Sequence, residues 1–390
     1  TTREAMATNN NDKTLNVPHL RFPEFNGEWE KKRISEFCTL LKGTGISKDQ
    51  LSTNGNPCIL YGELYTKYKA EIINEVLSCT ELDANTLVKS KVNDVIIPCS
   101  GETAIDIATA RYVPFDDVLL GGDLNILRSN KVNGSFLAYQ LNGKRKYDIA
   151  RVAQGVSVVH LYGEHLKNIV ISLPVIEEQQ KISRLLHLLD ERIATQNKII
   201  EDLKKLKSAI RKKIFSLLKD EYTKSFEINQ LLDYEQPTAY IVANDEYSTD
   251  TRLTPVLTAN KGFILGYTDE KNGIYQKGAC IIFDDFTMDA KYVSFPFKVK
   301  SSAIKILTAK PNVNLRFMFE YLSYWELKSE GHKRHYISEI ASLVIELPSK
   351  ERQSIIASLM TSLNSKLDIE AKTKIRYEEQ KGYLLSQMFI

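Results

Sequence analysis

Apolar residues return at a stride of three and four along one stretch of the chain: Ile182, Leu185, Leu189, Ile199, Leu203, Leu206, Ile210 and Leu217. That stride marks one face of a helix and, sustained this long, a heptad seam. Pro174 and the acidic pair Glu177-Glu178 suit a helix start, where the dipole favours negative charge. The pattern predicts a helix over 175–219, reaching roughly 60 Å at about 1.5 Å per residue. A weaker version occupies 349–390, with Ile356, Leu359, Leu363, Tyr377, Leu384 and Met388 on one side. Lys366, Glu370, Thr373 and Gln380 fall on its seam and thin out the middle. Elsewhere the pattern changes. Short apolar runs bounded by Gly, Asn and Pro read as strands, among them Asn56–Gly62, Val92–Pro98, Thr254–Leu257, Gly262–Tyr267, Ala279–Phe283 and Tyr292–Val299.

The two helical stretches are one pattern written twice, about 174 residues apart. Leu173-Pro174 and Gln179 fall on Leu347-Pro348 and Gln353; Ile182, Leu185 and Leu189 fall on Ile356, Leu359 and Leu363; Ile210 and Phe215 fall on Leu384 and Phe389. No gap is needed. A register kept over roughly forty residues points to internal duplication. The order is therefore domain, helix, domain, helix: 17–174, 175–219, 220–348 and 349–390. Each seam needs a partner, and the duplication supplies one. The expected fold class is α+β: two globular α/β domains joined by two long helices in an antiparallel coiled coil, with pseudo-two-fold internal duplication. Two equivalent halves suit a two-part target. The seam residues expected to pack helix on helix are Ile182, Leu185, Leu189, Leu203, Leu206, Ile210, Ile356, Leu359, Leu363 and Leu384.

Composition narrows the class without naming it. The 390 residues are 43% hydrophobic and 26% charged, enough for a core in each domain. The net charge of +3 is too mild to establish a nucleic-acid partner, so local clusters carry more weight: Lys144-Arg145-Lys146, Lys204-Lys205, Arg211-Lys212-Lys213 and Lys333-Arg334. Five cysteines, none in a C-x-x-C pair, argue for reduced thiols and a cytoplasmic protein. The apolar runs are too short to span a bilayer. Thr1 to Asn11 are polar and read as extraneous or disordered material, so residues 1–16 are left out of the domain assignment.

Most enzymatic readings fail at the level of motif. Lys42-Gly-Thr-Gly-Ile-Ser-Lys48 has the wrong spacing for a phosphate loop, and no Rossmann glycine pattern opens a helix. No Asn-Pro-Pro-aromatic tetrapeptide, G-x-S-x-G elbow or H-E-x-x-H is present. Asp284-Asp285 follows a predicted strand, where a metal-dependent nuclease would place its carboxylates. A turn closing the strand explains the pair equally simply and is preferred, because no Glu-x-Lys completes a cleavage site. Ser100-Gly-Glu102-Thr103 lacks a nearby base and suits an exposed hydrogen-bonding loop.

Polar-aromatic loops are more informative. Tyr61, Glu63, Tyr65, Lys67 and Lys69 combine rings, cations and an acceptor; Thr258, Asn260, Lys261, Lys291 and Tyr292 repeat that vocabulary. Lys neutralises phosphate, Tyr stacks or bonds phosphate, Glu accepts from cytosine and Asn addresses adenine. With Ser100, Glu102, Thr103, Lys144, Arg145, Lys146, Lys333 and Arg334, these are the candidate DNA contacts. A solvated strand face explains any one of them as well; the clusters together favour DNA.

At this point the chain resembles the DNA-specificity subunits of type I restriction–modification enzymes. The resemblance rests on Val17-Pro-His-Leu-Arg-Phe-Pro-Glu-Phe25 with Trp29, and on the Leu-Pro-x(4)-Gln lead into each long helix. Tyr61-Gly-Glu-Leu-Tyr65, Ser100-Gly-Glu-Thr-Ala104 and Phe283-Asp-Asp-Phe-Thr287 are similar to segments of that family's target-recognition domains. The resemblance implies a chain that is not itself a catalyst and binds no cofactor. Each domain would read half of a split target in double-stranded DNA, while the paired helices set the spacer and dock two methyltransferase subunits. It further implies S-adenosylmethionine in those partners, ATP and Mg²⁺ in associated restriction and translocase subunits, and no membrane contact. Two rival readings remain: a nuclease using Asp284 and Asp285, and a coiled-coil scaffold without a DNA role.

Overall fold

The structure, a computed structural model, describes residues 15–155, 158–218, 223–258, 262–325 and 336–390. The backbone divides into two compact units. One comprises the chain up to Asn197 together with Thr373–Ile390; the other comprises Lys198–Lys372. Two long helices, Ile176–Leu217 and Lys350–Gln387, each contribute to both units.

In the first unit the chain enters on a strand, Glu30–Arg33, that pairs antiparallel with the returning strand Val170–Leu173. Between them lies a four-stranded antiparallel sheet in the order Thr39–Lys42, Leu124–Arg128, Asp94–Pro98, Arg111–Val113. A smaller sheet joins Leu51–Ser52, Ser78–Thr80, Asn56–Ile59 and Leu119–Leu120, the last pair parallel. A short helix, Gly134–Asn142, packs on the larger sheet, and two further helices, Lys146–Val152 and Gly163–Lys167, precede the return strand.

The second unit repeats this plan inside itself. Lys224–Glu227 pairs with Val344–Leu347. The four-stranded sheet runs Leu232–Glu235, Ile304–Ala309, Cys280–Asp284, Ala290–Val293, and the smaller one runs Ile264–Thr268, Thr254–Leu257, Lys298–Val299, again with a parallel last pair. The short helix is Leu315–Tyr324. The duplication read from the helices thus extends to the entry–return strand pair and the order of the four-stranded sheet, while among the described residues the smaller sheet has four strands in the first unit and three in the second. The expected strand over Tyr292–Val299 divides in two, Ala290–Val293 and Lys298–Val299, in different sheets. Pro296 lies between them and has no N–H to extend a ladder.

Each unit takes the beginning of one long helix and the end of the other. In the first, Ile182, Leu186 and Leu189 share a core with Leu384, Met388 and Phe389. Phe389 sits 5.2 Å, ring to ring, from Phe136 on the short helix, and Trp29 packs edge-on to both. In the second, Ile210, Ile214 and Phe215 share a core with Ile356, Met360 and Leu363, and Phe215 lies 5.5 Å from Phe317 on that unit's short helix. The repeated terminal Phe therefore does the same thing in both units: it caps the core under the first turn of the short helix.

The seam differs at two positions from the expected one. Ile182, Leu189, Ile356 and Leu384 are buried, and Leu203, Ile210 and Leu363 half-buried. Leu206 and Leu359, by contrast, are 50% and 42% exposed. Lys207 and Met360 occupy the inward positions instead, while Leu185 flanks the buried Leu186. Ile199 and Leu217 also face outward. The row expected to pack therefore holds except at Leu206 and Leu359, where the residue beside it turns inward, and the buried face also carries polar residues: Asp190, Gln196, Lys207 and Lys381.

Candidate nucleic-acid interface

Strand ends position the candidate residues. Asn56–Ile59 leads into Tyr61-Gly-Glu63, and Asp94–Pro98 leads into Ser100-Gly-Glu102. Burial pushes the Tyr65 hydroxyl above its usual range, and Tyr61, Glu102 and Asp106 add to the effect. Ser100 departs from the expected exposed loop without a base: it is buried, it pairs with the strand Val159–His160, and its Oγ lies 3.1 Å from His160 Nδ1, which the fold brings in from sixty residues away. Thr103 caps the following helical turn, accepting from the Asp106 N–H and donating to the Asp106 carboxylate. Glu102 and Thr103 are exposed, as are Lys67 and Lys69.

Glu63 points inward. It is buried and accepts from the Leu60 N–H at 3.0 Å, from Lys67 Nζ at 2.6 Å, and from Ser78 Oγ. A carboxylate committed to three donors pins the loop and has no capacity left for a base. Lys67 is accordingly half-engaged, and Lys69 Nζ donates to the Thr66 carbonyl. Lys144 is exposed, but Arg145 bridges Asp148 and the main-chain oxygen of Ile390, which puts the Lys144-Arg145-Lys146 cluster beside the last turn of the second long helix.

In the second unit one candidate group follows a matching strand and the other lies on a strand of the larger sheet. Thr254–Leu257 leads into Thr258, whose N–H donates to the Phe263 carbonyl and closes a hairpin. Asn260 and Lys261 lie outside the described residues, as do Lys333 and Arg334. On the strand Ala290–Val293, Lys291 is exposed, whereas Tyr292 turns toward the short helix. There the Arg316 guanidinium lies 4.4 Å over its ring. Tyr292 is thus a packing residue; its neighbour Lys291 keeps the solvent face because successive strand residues alternate.

Asp284 ends the neighbouring strand Cys280–Asp284, and Asp285 follows it. Both are buried. Asp284 Oδ1 accepts from the Phe286 and Thr287 N–H groups, and Asp285 accepts from the Tyr336 N–H and lies 3.4 Å from the buried Lys305 ammonium. The turn reading explains Asp284, and Asp285 is taken up by Tyr336 and Lys305, so neither buried carboxylate is open to a metal ion. Among the described residues no group of His, Cys, Asp and Glu could hold a metal ion. All five cysteines are free thiols, and burial pushes Cys38 and Cys280 up to about 12.

Sequence reading missed a polar hollow in the first unit. Lys42, Asn125, Tyr162, Glu164 and Lys167 line a cavity of about 240 Å³, one strand pairing away from Ser100. Its residues come from separate segments, so only the His160-Leu-Tyr162 run after a short strand hinted at it. The Leu-Pro-x(4)-Gln motif was noticed but its role was not. Gln179 Nε2 donates to the Pro174 carbonyl at 2.8 Å, while its Oε1 accepts the Asn133 N–H at 2.9 Å. Gln353 repeats this with Pro348 and Asn314, at 2.9 Å each. Asn133 and Asn314 are the N-caps of the two short helices. Without the amide, a buried carbonyl and a helix-cap N–H would go unpaired, at about 1–3 kcal/mol each.

No helix among the described residues is long and apolar enough to cross a membrane. Comparison with known proteins fits this geometry. The family described as the Type I restriction modification DNA specificity domain matches the chain twice, over residues 26–205 and 220–379. The specificity subunit of the Escherichia coli type I restriction enzymes EcoR124I/EcoR124II is 39% identical over 178 residues, which span 41% of this chain and 43% of that relative. The putative MjaX specificity subunit of Methanocaldococcus jannaschii is 25% identical over 96% of both chains. Among solved structures, the S subunit of a type I restriction-modification system from M. genitalium shares the fold at a TM-score of 0.68. It has 17% identity and covers 96% of this chain and 99% of its own. A chain from a structure addressing complex assembly and conformational transition of the type I R-M system follows at 0.54, with 15% identity, over 92% and 97%. With the family matched in both halves, the chain belongs to the type I restriction modification DNA specificity family.

Proposed function

We propose that this chain is the DNA-reading, non-catalytic subunit of a cytoplasmic type I restriction–modification complex. Each globular domain reads one half of a bipartite target. The two long helices pair antiparallel as a coiled coil, set the spacer between half-sites, and dock two methyltransferase subunits. Restriction and translocase subunits join that core. S-adenosylmethionine, ATP and Mg²⁺ belong to these partners, and the domain boundaries 17–174, 175–219, 220–348 and 349–390 follow. One observation supports the reading: the strand order of the four-stranded sheet occurs twice, and in each copy a candidate loop follows the strand that makes the parallel pair of the smaller sheet.

Energetics favour a split reader. A well-read base pair contributes on the order of 1–3 kcal/mol of discrimination, so a few pairs under one small domain cannot select a rare site. Two domains multiply their selectivities. The base-facing candidates among the described residues are Tyr61, Tyr65, Glu102, Thr103, Thr258 and Lys291, with Lys67, Lys69, Lys144 and Lys146 toward phosphate. Adenine-methylation mapping in cells carrying this subunit and its methyltransferase tests the whole. A two-part motif is expected, and replacing residues 17–160 by another recognition domain changes one part only. A change in both parts, or methylation without a motif, defeats the proposal.

A further inference from the structure

Each long helix carries in its first turn a glutamine that ties it to the globular domain it leaves. Gln179 is the fourth residue of Ile176–Leu217, and Gln353 the fourth of Lys350–Gln387. Both are buried, at 3% and 1% exposure. Both join the same three elements: the Pro carbonyl ending the return strand, the helix itself, and the N-cap of the short helix. Asn is too short for this reach, and Glu offers no donor to the carbonyl. Two copies whose strand sequences have diverged keep the same amide in the same geometry.

In the first unit the contact continues toward the candidate loop. Gly134, next to the clasped Asn133, donates its N–H to Asn93 Oδ1 at 2.6 Å, and Asn93 Nδ2 donates to the Ser129 and Val132 carbonyls. A Cβ at Gly134 would lie 2.6 Å from the Asn93 carbonyl oxygen, so only glycine admits this approach. Asn93 is in the left-handed region at φ +82° and begins the turn into Asp94–Pro98, the strand that ends in Ser100-Gly-Glu102. The helix, the clasp and the base of the loop-bearing strand are therefore one hydrogen-bonded assembly.

We propose that Gln179 and Gln353 are positioning residues for sequence discrimination, each fixing the attitude of its own reading domain on the long helix. This rests on the reading of the chain as a split DNA reader. Neither glutamine touches DNA. Each sets the angle at which its domain's loops meet the bases, so losing one blurs one half-site and leaves the other sharp. Phosphate contacts tolerate small rotations, whereas bidentate base contacts do not.

The test uses the full chain assembled with its methyltransferase and the duplex target found by methylation mapping, plus two duplexes with one half scrambled. Wild type is expected to discriminate against both scrambled duplexes. Gln179→Met should lower discrimination in one half about tenfold, a loss of the size of one base contact, with affinity for fully scrambled DNA unchanged. Gln353→Met should do the same in the other half. Hydrogen exchange at the Asn133 and Asn314 amides reports the clasp independently of DNA and should quicken in the matching variant only. Should Gln179→Met not fold, Gln179→Glu keeps the acceptor for Asn133 and removes the donor to Pro174; the same one-sided loss is expected. Faster exchange with discrimination intact, or equal loss in both halves, overturns the proposal. A wild-type assembly without any discrimination overturns the reading on which it stands.

Discussion

The two units solve the same buried problem with different charges. In the first, Lys381 reaches Asp190 at 2.5 Å and also bonds Glu71, while Tyr139 donates its hydroxyl to Asp190 at 2.6 Å. In the second, the residues at the duplicated positions are Lys207 and Asn364, and they bond each other. The short helix there supplies Glu320, which accepts from Arg211 at 2.7 Å and from Asn364 at 3.2 Å. One lysine thus serves two carboxylates; its counterpart faces a neutral amide with Arg211 and Arg316 close by. The geometry is inherited and the electrostatics are not. Burial acts to lower Lys381, but Glu71 and Asp190 outweigh it and hold its ammonium above the usual range. Burial also acts on Lys207, and with Arg211 and Arg316 nearby its ammonium sits below that range. Asp190 is raised, chiefly by burial.

The largest expected effect comes from breaking the richer knot. Lys381→Met leaves two buried carboxylates facing each other and should cost about 3–5 kcal/mol in denaturant unfolding. Lys207→Met strands only a neutral amide and should cost about 1 kcal/mol. Equal losses would show that charge distribution does not separate the units. Next in size, Tyr139→Phe removes a hydrogen bond to a charged group and should cost about 1.5–3 kcal/mol, with no counterpart in the second unit, where Glu320 takes the place of the tyrosine.

The pH response has opposite signs. A lysine held above 10.5 when folded contributes stability that is present below 10.5 and fades as pH climbs past it toward the folded value. A lysine held below 10.5 when folded is penalised while protonated, and that penalty lifts as pH rises toward 10.5. Melting curves between neutral and strongly alkaline pH should therefore decline more gently in Lys381→Met than in wild type, and more steeply in Lys207→Met. Parallel curves for all three would refute the assignment. The smallest effect concerns the seam. Leu206→Ala and Leu359→Ala, at exposed positions, should each shift stability by no more than about 0.5 kcal/mol, against about 2–5 kcal/mol for Leu186→Ala or Met360→Ala. Large losses at Leu206 would restore the inward position first read from the sequence.

The misreading of Leu206 and Leu359 marks where sequence reading stopped. The two long helices, their starts at Pro174 and Pro348 and their shared register were legible, because a 3.6-residue period and an identical offset need no tertiary information. Which of two adjacent residues faced inward there was not legible: buried Asp190, Lys207 and Lys381 look like surface residues until their partners are known. Glu63 and Tyr292 were read outward for the same reason, since Lys67, Ser78 and Arg316 bind them only in three dimensions. The repeated strand order escaped notice because backbone ladders need no matching side chains, so two copies can lose resemblance and keep their hydrogen bonds.

One feature of each copy bears on how such chains change. The incoming and outgoing strands of each globular domain lie side by side, Glu30 opposite Leu173 and Lys224 opposite Leu347. A polypeptide that leaves and rejoins its scaffold at neighbouring points can be exchanged like a bulb in a socket. The ribbon stays in place whatever lies between its strands, whereas the long helix beyond it keeps its fit only where the insert brings a short helix whose cap meets the glutamine.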